Sequence, residues 1–207
     1  MPFDYKKEYK EFYMPLRKPS IIDVPAMNYI AVRGTGNPND EEGEYKASIG
    51  LLYAIAYTIK MSYKGNYKID GFFEYVVPPL EGLWCQPGMN GIDYSRKEAF
   101  SSITRFREPG RFRMGCSGGD NKKKTDFSKV EFLRYDEGMC VQCMHVGSYD
   151  NEPETIALMD GFARNEGYDV DINGERFHHE IYLSDPRKAD PAKLKTVIRH
   201  PVKSRKG

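Results

Sequence analysis

The sequence predicts an α+β fold: one antiparallel sheet of two repeated ββαββ-type halves, with two main helices on one face and a ligand groove on the other. Three observations point there. Short runs of strand composition alternate with two stretches of helical period. Pieces of the first half recur, in order, in the second. Residues 177–186, read as a strand, set a carboxylate among apolar and aromatic side chains.

Taken in order, residues 6–13 read as a short amphipathic helix closed by Pro15 and Pro19, a packing arm. Residues 21–24, a turn at Pro25-Ala26 and residues 27–33 have the composition of a β-hairpin ending at Gly34. From Glu44 to about Met61, Tyr45, Ile49, Leu52, Ala56 and Ile59 recur every three or four positions, which predicts a helix. Gly50 inside it suggests close packing, since glycine weakens a helix by about 1 kcal/mol relative to alanine. Residues 72–77 read as a strand stopped by Pro78-Pro79, residues 80–84 as its resumption and residues 103–107 as a further strand. Residues 110–126 have loop composition and no periodicity. Residues 130–135, a turn at 136–138 and residues 139–147 make a second hairpin. Asn151, Glu152 and Pro153 open a helix running to about Asn165, which Gly167 is placed to end. Residues 177–183 and 195–200 complete the strands.

The repeat rests on three matches. Val32-Arg33-Gly34 answers His145-Val146-Gly147, Phe73-Glu74-Tyr75 answers His179-Glu180-Ile181, and Arg107-Glu108-Pro109 answers Arg199-His200-Pro201. They divide a single domain into an arm (1–18), a first repeat (about 19–109), a linker (about 110–126) and a second repeat (about 127–202), and they make Glu74 the counterpart of Glu180.

A chain of 207 residues with 31 basic and 30 acidic side chains has no global pull toward nucleic acid or an anionic membrane. The longest apolar stretch, residues 49–59, is too short to span a bilayer. Four scattered cysteines and a charged start without a signal peptide suit a reducing cytoplasm. Fifteen tyrosines and eleven phenylalanines exceed what a plain core needs and suit a pocket.

The motifs are mostly negative. Gly34-Thr35-Gly36 lacks the third glycine of a dinucleotide fingerprint and is followed by Asp40, Glu41 and Glu42, which repel phosphate. Cys140 and Cys143 have no second pair to complete a zinc site, and no serine elbow occurs, so neither metal nor cofactor is expected. Glu180 remains. A two-residue period puts His178, Glu180 and Tyr182 on one strand face and His179, Ile181 and Leu183 on the other. If Ile181 and Leu183 face a core, Glu180 faces a cleft. With His178, Tyr182, Glu74, Phe72 and the sole tryptophan, Trp84, it then recognises or transforms an organic ligand, its pKa raised by desolvation.

Residues 178–186 (His-His-Glu-Ile-Tyr-Leu-Ser-Asp-Pro) and 193–202 (Lys-Leu-Lys-Thr-Val-Ile-Arg-His-Pro-Val) resemble the C-terminal signature of the GyrI-like small-molecule-binding proteins, and residues 21–25, 79–84 and 140–149 are similar to that family's stand-alone members. The resemblance implies a duplicated α+β fold whose groove takes hydrophobic, often cationic compounds. Relatives fused to a DNA-binding segment are drug-sensing regulators; the arm before Pro19 is too short for a helix-turn-helix. The chain is therefore expected to be a free-standing binder or an enzyme, without a nucleic-acid or membrane partner. The alternative is an interaction protein of the gyrase-inhibitor type. Some stand-alone relatives hydrolyse the cyclopropane ring of DNA-alkylating compounds inside an aromatic cage. By position, Glu180 would then direct the attacking water, Tyr149 or Tyr182 would stabilise the developing oxyanion, and Trp84 would belong to the cage, with Phe100, Phe106 and Tyr94 as further wall.

Overall fold

A computed structural model describes residues 1–64, 69, 71–108 and 126–205. Most of the linker expected at residues 110–126 lies outside them. The order of elements is α1 (Tyr5–Glu8), α2 (Lys10–Tyr13), β1 (Ser20–Val24), β2 (Met27–Thr35), α3 (Glu44–Met61), β3 (Leu80–Cys85), β4 (Ser101–Arg107), β5 (Val130–Tyr135), β6 (Gly138–Val146), α4 (Glu152–Asn165), β7 (Tyr168–Val170), β8 (His178–Tyr182) and β9 (Lys195–Ser204). The strands form one sheet in the order β1-β6-β9-β8-β3-β4-β2-β5, with β7 added beside β9, and every pairing is antiparallel.

Both main helices lie on one face, as expected. Helix α3 buries Leu52, Ile55, Ala56 and Ile59 against Ile30, Val32, Leu80 and Phe106. Helix α4 buries Ile156, Met159 and Ala163 against Val141, Cys143, Ile198 and Val202. Pro153 sits in the first turn of α4, and Gly167, at φ +86°, ends it. Gly50 is exposed and a Cβ there would meet open space, so it marks no close packing. No helix among the described residues is long and apolar enough to cross a membrane.

The expected hairpins do not form. Strand β1 pairs β6 and β2 pairs β5, and the two pairings share one register: Ser20 opposes Gln142, Val24 opposes Gly138, and Met27 opposes Tyr135. Residues 20–35 and 130–146 are thus two long strands, kinked at Pro25-Ala26 and Asp136-Glu137, that run antiparallel past each other. Each half takes an outer strand from the other. Residues 72–77 are not a strand either. Their one ladder contact is a parallel bridge from Tyr75 to Phe3 of the arm, and the sheet strand begins only at Leu80, after the two prolines.

Register also corrects the internal alignment. Arg105 opposes Ala31 and Glu81, and Arg199 opposes Gln142 and His179, so these two arginines hold like places. Glu81 then answers His179, and Gly82 answers Glu180. Gly82 and Glu180 face each other across the junction of the halves, and Glu74 lies outside the sheet.

The face opposite the helices is not open. The N-terminal arm covers it with Tyr5, Phe12 and Tyr13. Beneath the arm Glu81, Arg105, Glu137, His179 and Arg199, all buried, form one network. Arg105 donates to Glu81 at 3.0 Å, and Arg199 donates to Glu137 at 3.1 Å. The two ring nitrogens of His179 lie 2.7 Å from Glu137 and 3.1 Å from Glu81. Tyr13 donates to Glu81 at 2.9 Å and the carbonyl of Phe12 accepts from Arg199 at 2.8 Å, so the arm is held by the charges it covers.

Candidate functional site

Alternation along β8 sends Ile181 into the core beneath the arm and turns His178, Glu180 and Tyr182 toward the helices. These three side chains therefore lie on the helix-bearing face, and not on the opposite one, which the arm covers. Across the sheet Glu180 has Gly82 on one side and Ile198 on the other, while Trp84 stands opposite His178.

Glu180 is held from both oxygens. Its Oε1 lies 2.8 Å from Nε2 of His178, and its Oε2 accepts from the Tyr182 hydroxyl at 2.6 Å. The Trp84 indole N–H donates to Tyr182 at 3.3 Å. Helix α3 adds Tyr45, whose hydroxyl interacts with that of Tyr182 and whose ring lies 4.9 Å from Trp84. Phe100 meets Trp84 edge-on at 5.7 Å, Tyr94 meets His178 at 6.0 Å, and the more exposed Tyr149 meets Tyr182 at 6.0 Å. An aromatic wall thus surrounds one carboxylate.

A second carboxyl stands beside it. Glu152, at the start of α4, is buried, and its Oε1 has no hydrogen-bond partner. Burial, reinforced by the neighbouring Glu180, raises its pKa far above the ordinary carboxylate value, so of the two acids Glu152 holds its proton the more tightly. Glu180 goes the other way. Burial raises its pKa, but the hydrogen bonds it shares with His178 and Tyr182 and the field of His178 outweigh burial and leave it below the ordinary carboxylate value. The rise expected from desolvation falls on Glu152 instead. Burial, helped by Glu152 and Glu180, also lifts Tyr149 to about 12, so it keeps its proton.

Of the residues expected at the site, Glu180, His178, Tyr182, Trp84 and Tyr149 are brought together. Glu74 and Phe72 are not: Glu74 is exposed, and Phe72 packs on Tyr63 and Tyr75 near the far end of α3. Phe106 is a core residue, 1% exposed, with Tyr53 edge-on at 5.0 Å. Sequence reasoning missed Glu152 and Tyr45, because acids belong in the first turn of a helix for the macrodipole and Tyr45 fits the apolar period of α3.

Gly82 makes the wall possible. A Cβ there would sit 2.7 Å from Nε1 of Trp84 and 3.0 Å from the Tyr182 hydroxyl, the pair that reaches Glu180. Gly82→Ala is expected to displace the indole, to cost about 1–3 kcal/mol as overpacking does, and to shift the emission of Trp84. Unchanged emission and unchanged stability would contradict this packing.

Comparison with known proteins agrees with this architecture. The model of the GyrI-like small molecule binding domain matches residues 17–203. An uncharacterized conserved protein from Listeria innocua is 43% identical over 97% of this chain and 100% of its own, with a TM-score of 0.86. A hydrolase from Listeria innocua is 42% identical over the same shares, with a TM-score of 0.81. The EcmrR C-terminal domain shares the fold at 15% identity and a TM-score of 0.55, over 92% of this chain and 99% of its own. No curated protein matches the chain. With a family model over nearly its whole length and relatives above 40% identity, the chain belongs to the GyrI-like small-molecule-binding family.

Proposed function

We propose that this protein binds hydrophobic small molecules, aromatic cations foremost, in the cleft between α3 and α4, and that it hydrolyses strained electrophilic rings there. The observation that carries the reading is the pair Glu180 and Glu152, side by side against an aromatic wall, with hydrogen bonds that lower the pKa of Glu180 and burial that raises that of Glu152. Two carboxyls whose environments drive their pKa values apart are the usual form of a base and an acid in one site. The ionised Glu180 also supplies the counter-charge for a cation, and Trp84 and Tyr45 supply rings against which a flat ligand stacks. The description of a 42% identical relative as a hydrolase supports the catalytic half of the reading.

In this reading Glu180 accepts a proton from water while the water oxygen bonds to a ring carbon. The electron pair of the broken ring bond passes to a conjugated carbonyl oxygen, which takes a proton from Glu152 or Tyr149. Xenobiotic detoxification in the cytoplasm, without a nucleic-acid partner, completes the proposal; the free, buried thiols of Cys85, Cys140 and Cys143 and the near-neutral net charge of +1 support it.

The test is a thermal-shift panel of aromatic cations and neutral polycyclic compounds, read together with Trp84 fluorescence. A ligand at a hundred times its Kd stabilises by about 2.7 kcal/mol, so binders are expected to raise Tm and to change the emission of Trp84. A flat response across the panel would favour the inhibitor-type alternative.

A further inference from the structure

Behind Glu180 a chain of polar groups leaves the cleft and crosses to α4. Nε2 of His178 is 2.8 Å from Glu180, Nδ1 of His178 is 2.8 Å from Nε2 of His200, and Nδ1 of His200 is 2.9 Å from Oδ1 of Asp160. Both imidazoles are buried, their side chains 1% and 3% exposed, whereas that of Asp160 is 22% exposed. The alignment has a simple origin. His178 and His200 lie one step beyond the His179–Arg199 pair of β8 and β9, on the face that meets α4, and Asp160 is on α4.

Proton counting makes this chain unusual. Three contacts at hydrogen-bond distance need three protons, one in each. Two neutral imidazoles bring two. The third proton is an extra one, carried as an imidazolium or on one of the terminal carboxyls. Moving all three protons one place along their bonds transfers a charge between Glu180 and Asp160 without moving a heavy atom. We propose that His178, His200 and Asp160 form a proton relay that connects Glu180, deep in the cleft, to solvent at the surface of α4.

The role rests on the hydrolytic reading of Glu180. In the state in which both rings carry hydrogen on Nδ1, a proton that Glu180 takes from water passes to the bare Nε2 of His178, and the Nδ1 proton of His178 passes to Nε2 of His200. His200 gives its own Nδ1 proton to Asp160, which releases it to bulk water. The base is restored while a ligand is still bound, and both rings are left protonated on Nε2; the reverse shift, begun by a proton from solvent on Asp160, resets them and returns to Glu180, beside Glu152, a proton that replaces the one given to the ligand. Other groups beside the chain do not offer this route. Glu152 and Tyr182 border Glu180 from inside the cleft, and Tyr94 presents a ring edge to His178. Burial lowers the pKa of His200, against the pull of Asp160, which favours a neutral ring able to accept and donate in turn. His200 and Asp160 are positioning residues, acting on the reaction only through His178 and Glu180.

The relay is tested without a substrate, by nitrogen NMR of protein labelled at its four histidines. In the wild type, His200 is expected to carry its proton on Nδ1, with Nε2 bare. Asp160→Ala removes the terminal acceptor. The His200 proton should then move to Nε2 and point at His178, whose Nδ1 signal should shift from the protonated to the bare range although none of its own atoms changed. From the other end, Glu180→Gln should alter the signals of His200. Responses confined to the nearer ring in both variants, or a wild-type His200 protonated on Nε2 alone, would overturn the relay. If Asp160→Ala does not fold, the wild-type tautomer and Glu180→Gln still decide. Uncoupled rings in a protein that binds and turns over ligands would remove only the relay; coupled rings in a protein that binds no compound would remove only the functional reading.

Discussion

Glu180→Gln is expected to lower turnover of a strained-ring electrophile by at least about a hundredfold, the lower end of what general base catalysis contributes. Glutamine keeps the shape and can still accept from Tyr182, but it cannot take a proton from water. The same change removes the negative charge from an aromatic enclosure, so affinity for an aromatic cation should fall roughly tenfold, equivalent to 1.4 kcal/mol, while a neutral ligand of the same shape binds as before. Glu74→Gln, at an exposed position outside the sheet, should leave both unchanged. Turnover by Glu180→Gln at the wild-type rate would dismiss Glu180 as the base, and equal losses for charged and neutral ligands would dismiss it as the counter-charge.

The largest stability effect is expected under the arm. Glu137→Ala leaves Arg199, His179 and Arg105 without a shared carboxylate in a dry interior, and breaking a buried pair from one side costs about 3–5 kcal/mol. Acid should act on the same network. Burial pushes the carboxyls of Glu81 and Glu137 up, but Arg105 and His179, joined at Glu137 by Arg199, hold both below the ordinary glutamate value. A depressed folded pKa contributes stability that is fully present above the unfolded value of about 4.3 and is lost as pH falls below it toward the folded value. Urea midpoints should therefore hold near pH 6 and fall steeply below pH 4, more shallowly in Glu137→Gln. Equal slopes in the two proteins would show that other carboxylates dominate.

Helix α3 could be read from the sequence residue for residue, from Glu44 to Met61, because a single apolar period writes both its ends and its buried stripe. The alternation of β8 was legible for the same reason, and it correctly separated Glu180 from Ile181. What alternation does not encode is which face receives the helices, and Glu180 proves to lie on that face. Strand partners were equally hidden: Ile21 and Val141 pair across more than half of the chain, and nothing local distinguishes that from a hairpin closed at Pro25-Ala26. The site was legible where its residues share a strand, as His178, Glu180 and Tyr182 do. It was not where they converge from separate elements, as Glu152, Tyr45, His200 and Asp160 do. Arg105 and Arg199 show the limit of matching letters, since only register tells Arg105 from Arg107 as the counterpart of Arg199.

The two long kinked strands also bear on how such a molecule is assembled and could have originated. A half comprising β1 to β4 would expose β1 without its mate and would leave β2 without its outer neighbour, and a second copy of the same half supplies both. The sheet is the one a symmetric dimer with exchanged strands would build, now held in a single polypeptide. During synthesis β1 leaves the ribosome long before β6 exists, so the outer pairing closes last and the chain should fold slowly for its size.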